Sequence, residues 1–202
     1  MFKKAISILI SLFVLSISVY ANEPVTTVND TKNDTIITYT LTLDDAIKML
    51  RCDSELAGVD ISVMGHSWGA FCVCNILNFH PDIKAVVAVS GFDTSAVLLK
   101  QYTEVNMGKA ATLLMPYLHI YERICWGKYA GTSACNGFAN SQAKVMVIQS
   151  SDDPTVYSAS GYDRYYEKFA NDDRFIFKMY SDRGHSYPVN SDEGRACRTK
   201  IK

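Results

Sequence analysis

The sequence predicts an α/β fold in which a mostly parallel sheet is flanked by helices. Helix-like segments, the clearest being "WGAFCVCNILNF" and "YDRYYEKFA", alternate with apolar runs. Alternating helices and strands are typical of a parallel sheet, because each parallel connection must cross back over the sheet. The apolar runs are β-branched and nearly continuous, as strands covered on both faces tend to be. They are "DISVM" (60–64), "AVVAVS" (85–90), "KVMVIQS" (144–150) and "RFIFKMY" (174–180).

Residues 1–21 have the pattern of a signal peptide. Two lysines precede an apolar run from Ala5 to about Val19, and a small-residue cleavage site ends at Ala21. The run is shorter than the roughly 20 residues that a membrane-spanning helix needs. We therefore expect a secreted or periplasmic protein cleaved after Ala21. An uncleaved N-terminal membrane anchor is the alternative.

The rest of the chain is predicted to form one domain. Cleavage leaves about 180 of the 202 residues, enough for one buried core and too few for two ordinary domains. Residues 22–34 are polar and non-periodic, so we expect a flexible leader there and a single domain over 35–202. "TIITYTL" (35–41) has strand composition. Thr42, with Asp45 three residues later, resembles a capping box for a short helix.

Composition excludes several classes of function. The formal charge of −1 becomes −3 once Lys3 and Lys4 are removed, and no basic cluster indicates nucleic-acid binding. No second apolar stretch approaches membrane length. The six cysteines match no zinc-site spacing with histidine, and we expect no metal or cofactor. The sequence does not determine the disulfide pairing or the oligomeric state, and it is compatible with a homo-oligomer.

The segment from about residue 92 to 143 interrupts the alternation. It is much longer than an ordinary connection between a strand and a helix. Its Leu, Met, Tyr and Trp content predicts two or three helices. Such an insert either adds to the core or forms a lid over the carboxyl edge of the sheet, and we favour the lid.

One serine stands between two glycines where a predicted strand becomes a helix. The stretch Gly65-His66-Ser67-Trp68-Gly69 fits G-x-S-x-G. Glycines at these positions permit a tight, strained turn that leaves the serine exposed above the sheet edge. The pentapeptide alone is a weak signal, and the strand–turn–helix context strengthens it. The alternative for Ser67 is an ordinary helix-capping serine.

A serine hydroxyl needs a base to take its proton, and the base needs a carboxylate to orient it. Asp152 and Asp153 follow one later strand, and His185 follows the next. The order Ser, Asp, His, with each residue just past a strand, is more specific than the pentapeptide. A turn before Pro154 and a surface loop histidine are the alternatives. His66, His80, His119 and Asp182 fit the catalytic roles poorly.

These residues give the chain a resemblance to the α/β-hydrolase superfamily of serine hydrolases. The elbow "GHSWGA", the "DPTV" after the acid strand and the "RGHSY" loop carry the likeness, which spans roughly 42–187. The resemblance implies Ser67 as nucleophile, His185 as general base and Asp153 as acid. Asp153 is preferred to Asp152 because the family's acid commonly precedes x-x-Val.

The resemblance also implies an oxyanion hole, for which Trp68 N–H supplies one donor. The second donor of the family comes from a loop after an early strand, and no such turn precedes Ser67 in this sequence. The scaffold therefore looks shortened at its N-terminal end. We expect a hydrolase of small ester or amide substrates. The alternative is a degenerate member that binds ligands but turns over poorly.

Overall fold

The computed structural model describes residues 43–54 and 58–186. The chain divides into two compact units, residues 1–59 and 60–202. In the first unit, helix α1 (Leu43–Cys52) has two aspartates in its first turn, where negative charge is favourable. Lys48 Nζ lies 2.8 Å from Oδ2 of Asp44, one turn earlier. The predicted signal peptide, leader, strand 35–41 and Thr42 cap lie outside the described residues.

The second unit contains a four-stranded, entirely parallel sheet, which confirms the predicted fold class. The strands lie in the order in which they occur along the chain. Strand β3 has the bounds predicted from sequence, whereas β1 is displaced by two residues towards the serine. The strands are β1 (Ser62–His66), β2 (Ala85–Val89), β3 (Lys144–Ser150) and β4 (Phe175–Tyr180).

Five helices connect these strands. The region between β2 and β3, predicted to hold two or three helices, contains α3, α4 and α5, with 3₁₀ turns at 108–113 and 127–129. No helix in the part of the chain described here is long and apolar enough to cross a membrane. The helices are α2 (Trp68–Asn75), α3 (Ser95–Met107), α4 (Met115–Trp126), α5 (Ala134–Asn140) and α6 (Tyr162–Phe169).

The two faces of the sheet differ in their cover. Right-handed crossovers between strands in consecutive order place the connecting helices on one face. On that face α2 contacts β1 and β2, α6 contacts β3, and Val86 and Val147 are buried. On the opposite face Met64 and Ile176, at the two ends of one cross-strand row, are exposed. The expectation of strands covered on both faces is therefore wrong for β1 and β4.

Candidate active site

Ser67 occupies a strained turn between β1 and α2. Its φ of 56° and ψ of −119° lie in a region that side chains with a Cβ rarely adopt, and its N–H donates to Val89 O at 2.8 Å. A Cβ on Gly65 would lie 2.2 Å from Gly69 O, so only glycine fits there. A Cβ on Gly69 would meet nothing within 4 Å. The first glycine of G-x-S-x-G is thus a steric requirement, and the second is not.

The structure brings the three predicted side chains together at the carboxyl edge of the sheet. His185 Nε2 lies 2.9 Å from Ser67 Oγ. On the other side of the ring, His185 Nδ1 lies 2.8 Å from Asp153 Oδ2 and 3.0 Å from Oδ1. With Nδ1–H donating to the carboxylate, Nε2 is left as the acceptor for the serine proton. The arrangement has the geometry that a nucleophile, a base and an orienting acid require.

Asp153 is a buried carboxylate that four donors satisfy. Besides His185, its oxygens accept hydrogen bonds from the N–H groups of Thr155 (2.8 Å) and Val156 (2.9 Å) and from Gln149 Nε2 (3.2 Å). Burial acts to raise the pKa of Asp153, but the hydrogen bonds from His185 and the two backbone N–H groups outweigh it, so the pKa lies below its ordinary value. Asp153 therefore stays ionised beside His185.

This lowered pKa makes the stability of the fold depend on pH in acid. A carboxylate whose pKa is lower in the folded state stabilises the protein above its unfolded pKa, about 3.9, and loses that contribution as pH falls through the folded pKa. We expect the free energy of unfolding to fall below about pH 4. We also expect Asp153→Asn to flatten that fall, as measured by urea unfolding at several pH values. An unchanged pH slope in Asp153→Asn would contradict the assignment.

Asp152, the other candidate acid, binds the backbone of the histidine loop instead of the imidazole. Its Oδ1 accepts from Gly184 N–H at 3.0 Å and from the hydroxyl of Ser150, which in turn accepts from Arg183 N–H at 3.1 Å. The hydrogen bond from Ser150 and then that from Gly184 hold the pKa of Asp152 below its ordinary value. Asp152 thus fixes the two residues that precede His185.

His66 is a second residue that holds this loop. Its Nε2 donates to the backbone carbonyl of His185 at 2.6 Å, and the two rings lie 4.8 Å apart. From sequence, His66 was predicted only to fit the catalytic roles poorly, and this contact was not predicted. His119 and Asp182 make other contacts: His119 Nδ1 is 3.9 Å from Glu122 Oε2, and Asp182 Oδ1 is 3.4 Å from Arg183 Nε.

The loop over residues 152–160, here called the acid loop, is hydrogen-bonded to the inserted helices through Gln101 on α3. Gln101 Nε2 donates to Thr155 O at 2.9 Å. Its Oε1 accepts from Tyr157 N–H at 3.1 Å and from Ser160 Oγ at 2.7 Å. The neighbouring Tyr102 has a raised pKa, because it is partly buried and because it lies near the charge of Asp153. The insert therefore contacts the loop that follows Asp153.

Trp68, the predicted oxyanion donor, is the first residue of α2. N–H groups in the first turn of a helix point out of its N-terminal end, which here adjoins Ser67. The indole ring packs edge-on against Phe92 (4.9 Å between ring centroids) and Phe71 (5.9 Å), which stack on each other at 4.8 Å. This aromatic cluster fixes the start of α2 beneath the serine.

The described cysteines, Cys52, Cys72, Cys74, Cys125 and Cys135, form no disulfide. Burial is the main cause of the raised pKa of Cys135, about 12, and it also raises the pKa of Cys74. Thiols with such pKa values are poor nucleophiles at neutral pH. Within residues 43–54 and 58–186, no cluster of three or more His, Cys, Asp or Glu side chains is arranged to hold a metal ion.

A sequence model of the Prolyl oligopeptidase family matches residues 41–201, which is most of the chain. The chain belongs to this family. The resemblance to α/β-hydrolases drawn from the elbow and the two loops is thereby confirmed. No curated protein matches the sequence.

Several solved structures share the fold of this prolyl oligopeptidase-family chain. An acylaminoacyl peptidase of Pyrococcus horikoshii is 14% identical, with a TM-score of 0.54 over 78% of this chain and 25% of its own. A puromycin-hydrolyzing peptidase of Mycobacterium tuberculosis is 17% identical, with a TM-score of 0.53 over 78% and 24%. An esterase of Pyrococcus furiosus is 14% identical, with a TM-score of 0.53 over 83% and 62%. The chain thus spans about a quarter of each peptidase and under two thirds of the esterase.

Proposed function

We propose that this prolyl oligopeptidase-family chain is a serine hydrolase that cleaves ester or amide bonds through an acyl-Ser67 intermediate. The observation that carries the proposal is the continuous hydrogen-bonded path from Ser67 Oγ to His185 (2.9 Å) and from His185 to Asp153 (2.8 Å). The strained backbone of Ser67 supports it too, because strain of this kind concentrates at functional sites.

The path assigns each group a role. His185 Nε2 takes the hydroxyl proton as Ser67 Oγ attacks the carbonyl carbon of the substrate. The protonated ring then gives this proton to the leaving alcohol or amine as the acyl-enzyme forms. A water molecule, deprotonated by the same nitrogen, hydrolyses the acyl-serine and releases the acid. Asp153 holds the tautomer and stabilises the imidazolium.

Trp68 N–H is proposed as one donor to the oxyanion. The sequence assigns no second donor, and loss of one donor costs on the order of 10²–10³ in kcat. This observation favours a second candidate function, in which the chain binds acyl-bearing ligands and turns them over poorly. The two candidates differ in the reactivity of Ser67, which can be measured directly.

The substrate we propose is apolar or acyl-bearing. The insert over 92–143 supplies Leu, Met, Tyr and Trp side chains, and its helix α3 contacts the acid loop through Gln101. We propose that this insert acts as a lid. Both peptidases and esterases share the fold, so profiling should compare p-nitrophenyl esters of short and long acyl chains with aminoacyl naphthylamides.

Export is also part of the proposal. The basic residues and apolar run of the first 21 residues support it. A chain recovered from the periplasm or the medium with Asn22 as its first residue would agree with cleavage after Ala21. A chain that keeps its N-terminus and stays with the membrane would favour the anchor.

Covalent labelling with a fluorophosphonate tests the reactivity of Ser67. We expect the full chain to be labelled at Ser67 and Ser67→Ala to show no labelling above background, because the hydroxyl is the attacking group. Tryptic mass spectrometry locates the adduct, and circular dichroism establishes that both chains are folded. Absence of labelling in a folded parent chain would favour the candidate that binds without turnover.

A further inference from the structure

Helix α4 departs from the pattern of an ordinary surface helix at several positions. Its inward side buries Leu118 together with the carboxylate of Glu122, which accepts a hydrogen bond from Ser95 at the start of α3. Its outward side exposes Tyr117, Ile120 and Ile124, with His119 and Arg123 beside them. Surface helices normally bury apolar residues and expose charged ones. A helix that buries its acid and exposes isoleucine is suited to an apolar environment on its outer side.

The exposed residues form a continuous stripe. Three of them, Tyr117, Ile120 and Ile124, recur at spacings of three and four residues within α4, which places them on one side of successive turns over about 11 Å, and Leu113 lies in the 3₁₀ turn that precedes the helix. Their side chains are between 60% and 78% exposed. Apolar residues scattered singly over a surface need no explanation, but a contiguous row indicates a contact surface. We call this row the outer stripe; its members are Leu113, Tyr117, Ile120 and Ile124.

The exposed charges on α4 and on the 3₁₀ turns at its two ends are all positive. Between residues 108 and 128 the exposed charged side chains are those of Lys109, Arg123 and Lys128. The one acidic residue in that range, Glu122, is buried. Long basic side chains can lie along an apolar surface and place their charge at its polar boundary. The apolar stripe and these basic side chains together match the chemistry of an anionic lipid surface.

We infer that the outer stripe lies on an anionic phospholipid bilayer. The four apolar side chains enter the boundary between headgroups and acyl chains, and the basic side chains meet the lipid phosphates. The inference does not depend on the proposed hydrolysis. The outer stripe brings the chain to a membrane without any segment of α4 crossing it.

A second copy of the chain is a poorer occupant of the stripe. A stable protein interface buries roughly 1,200–2,000 Å² in total, which four side chains from each copy do not supply. Two stripes packed together would also oppose their positive flanks, and like charges brought together across an interface are destabilising. Anionic lipid satisfies the apolar and the basic parts of the surface at once.

The test needs a readout confined to α4, because the apolar run over 5–19 can insert into lipid by itself. Hydrogen exchange of the full chain, followed by mass spectrometry, gives that readout for residues 113–124. With vesicles of equimolar phosphatidylcholine and phosphatidylglycerol we expect these amides to exchange about fivefold more slowly or better. With phosphatidylcholine alone we expect a much smaller change.

Matched variants identify the residues responsible. Ile120→Ser and Ile124→Ser should each abolish most of the slowing, whereas Ile176→Ser, an exposed isoleucine on β4, should leave it intact. Arg123→Gln should weaken binding to anionic vesicles about fivefold through loss of one charge, and Lys178→Gln on β4 should not. Circular dichroism establishes that each variant is folded.

Three results would overturn the inference. The first is unchanged exchange over 113–124 when the parent chain meets anionic vesicles, and the second is a slowing that survives Ile124→Ser. The third is a dimer in lipid-free buffer, seen by sedimentation equilibrium, that Ile124→Ser dissociates, since a second copy would then occupy the stripe.

Discussion

Replacement of Asp153 by asparagine should lower kcat about 10⁴-fold while the chain stays folded. The asparagine carbonyl can still accept from Thr155 and Val156 N–H, which now bond to Asp153 Oδ1. Its amide would face His185 Nδ1 as a donor and so favour the tautomer that carries its proton on Nε2. Because Nε2 then no longer accepts, Ser67 loses its base. Turnover of a p-nitrophenyl ester and the rate of fluorophosphonate labelling measure the effect.

Asp152→Asn is the matched control. It is the same chemical change one residue earlier, at a side chain that accepts from Gly184 N–H and from Ser150. An asparagine carbonyl can keep these acceptor contacts, so we expect kcat to change by less than about tenfold. Equal losses in the two variants would show that the geometry at His185 does not decide which aspartate is the acid.

The site was predictable from the sequence to the extent that it follows from strand ends. Ser67, Asp153 and His185 each come directly after a run with strand composition. In a parallel sheet the carboxyl ends of neighbouring strands meet at one edge, so the order of residues along the chain predicts their meeting in space. The strands themselves were predictable because short β-branched runs bounded by turn residues are typical of buried strands.

The features of the site and sheet that the sequence did not predict depend on contacts between segments far apart in the chain. His66 bonds to the carbonyl of a residue 119 positions later, and Gln101 bonds to a loop 54 positions later. A lone glutamine in a helix, or a histidine in G-x-S-x-G, carries no local pattern that names its partner. The bounds of β1 were misplaced for a similar reason: parallel pairing with β2 begins at Ser62 and continues to His66, beyond the most apolar part of the run.

Gly65→Ala should destabilise the fold by about 3 kcal/mol, the upper end of the range for overpacked sites. The added Cβ would lie 2.2 Å from Gly69 O and 2.3 Å from its carbonyl carbon. Backbone atoms at the start of α2 cannot rotate aside as a side chain can, so β1 and α2 must separate. For a chain of this size that loss lowers Tm by roughly 10 °C, measurable by thermal unfolding followed by circular dichroism.

Gly69→Ala tests whether the loss comes from that one clash. It is the same substitution four residues later, where a Cβ would meet nothing within 4 Å. Gly69 lies in the first turn of α2, where alanine is a better helix former than glycine, so Tm should stay the same or rise slightly. A Tm fall in Gly69→Ala that equals the fall in Gly65→Ala would mean that both glycines are needed for another reason. If only Gly65→Ala unfolds early, then the close approach of β1 and α2, which sets the strained turn at Ser67, is what the first glycine makes possible.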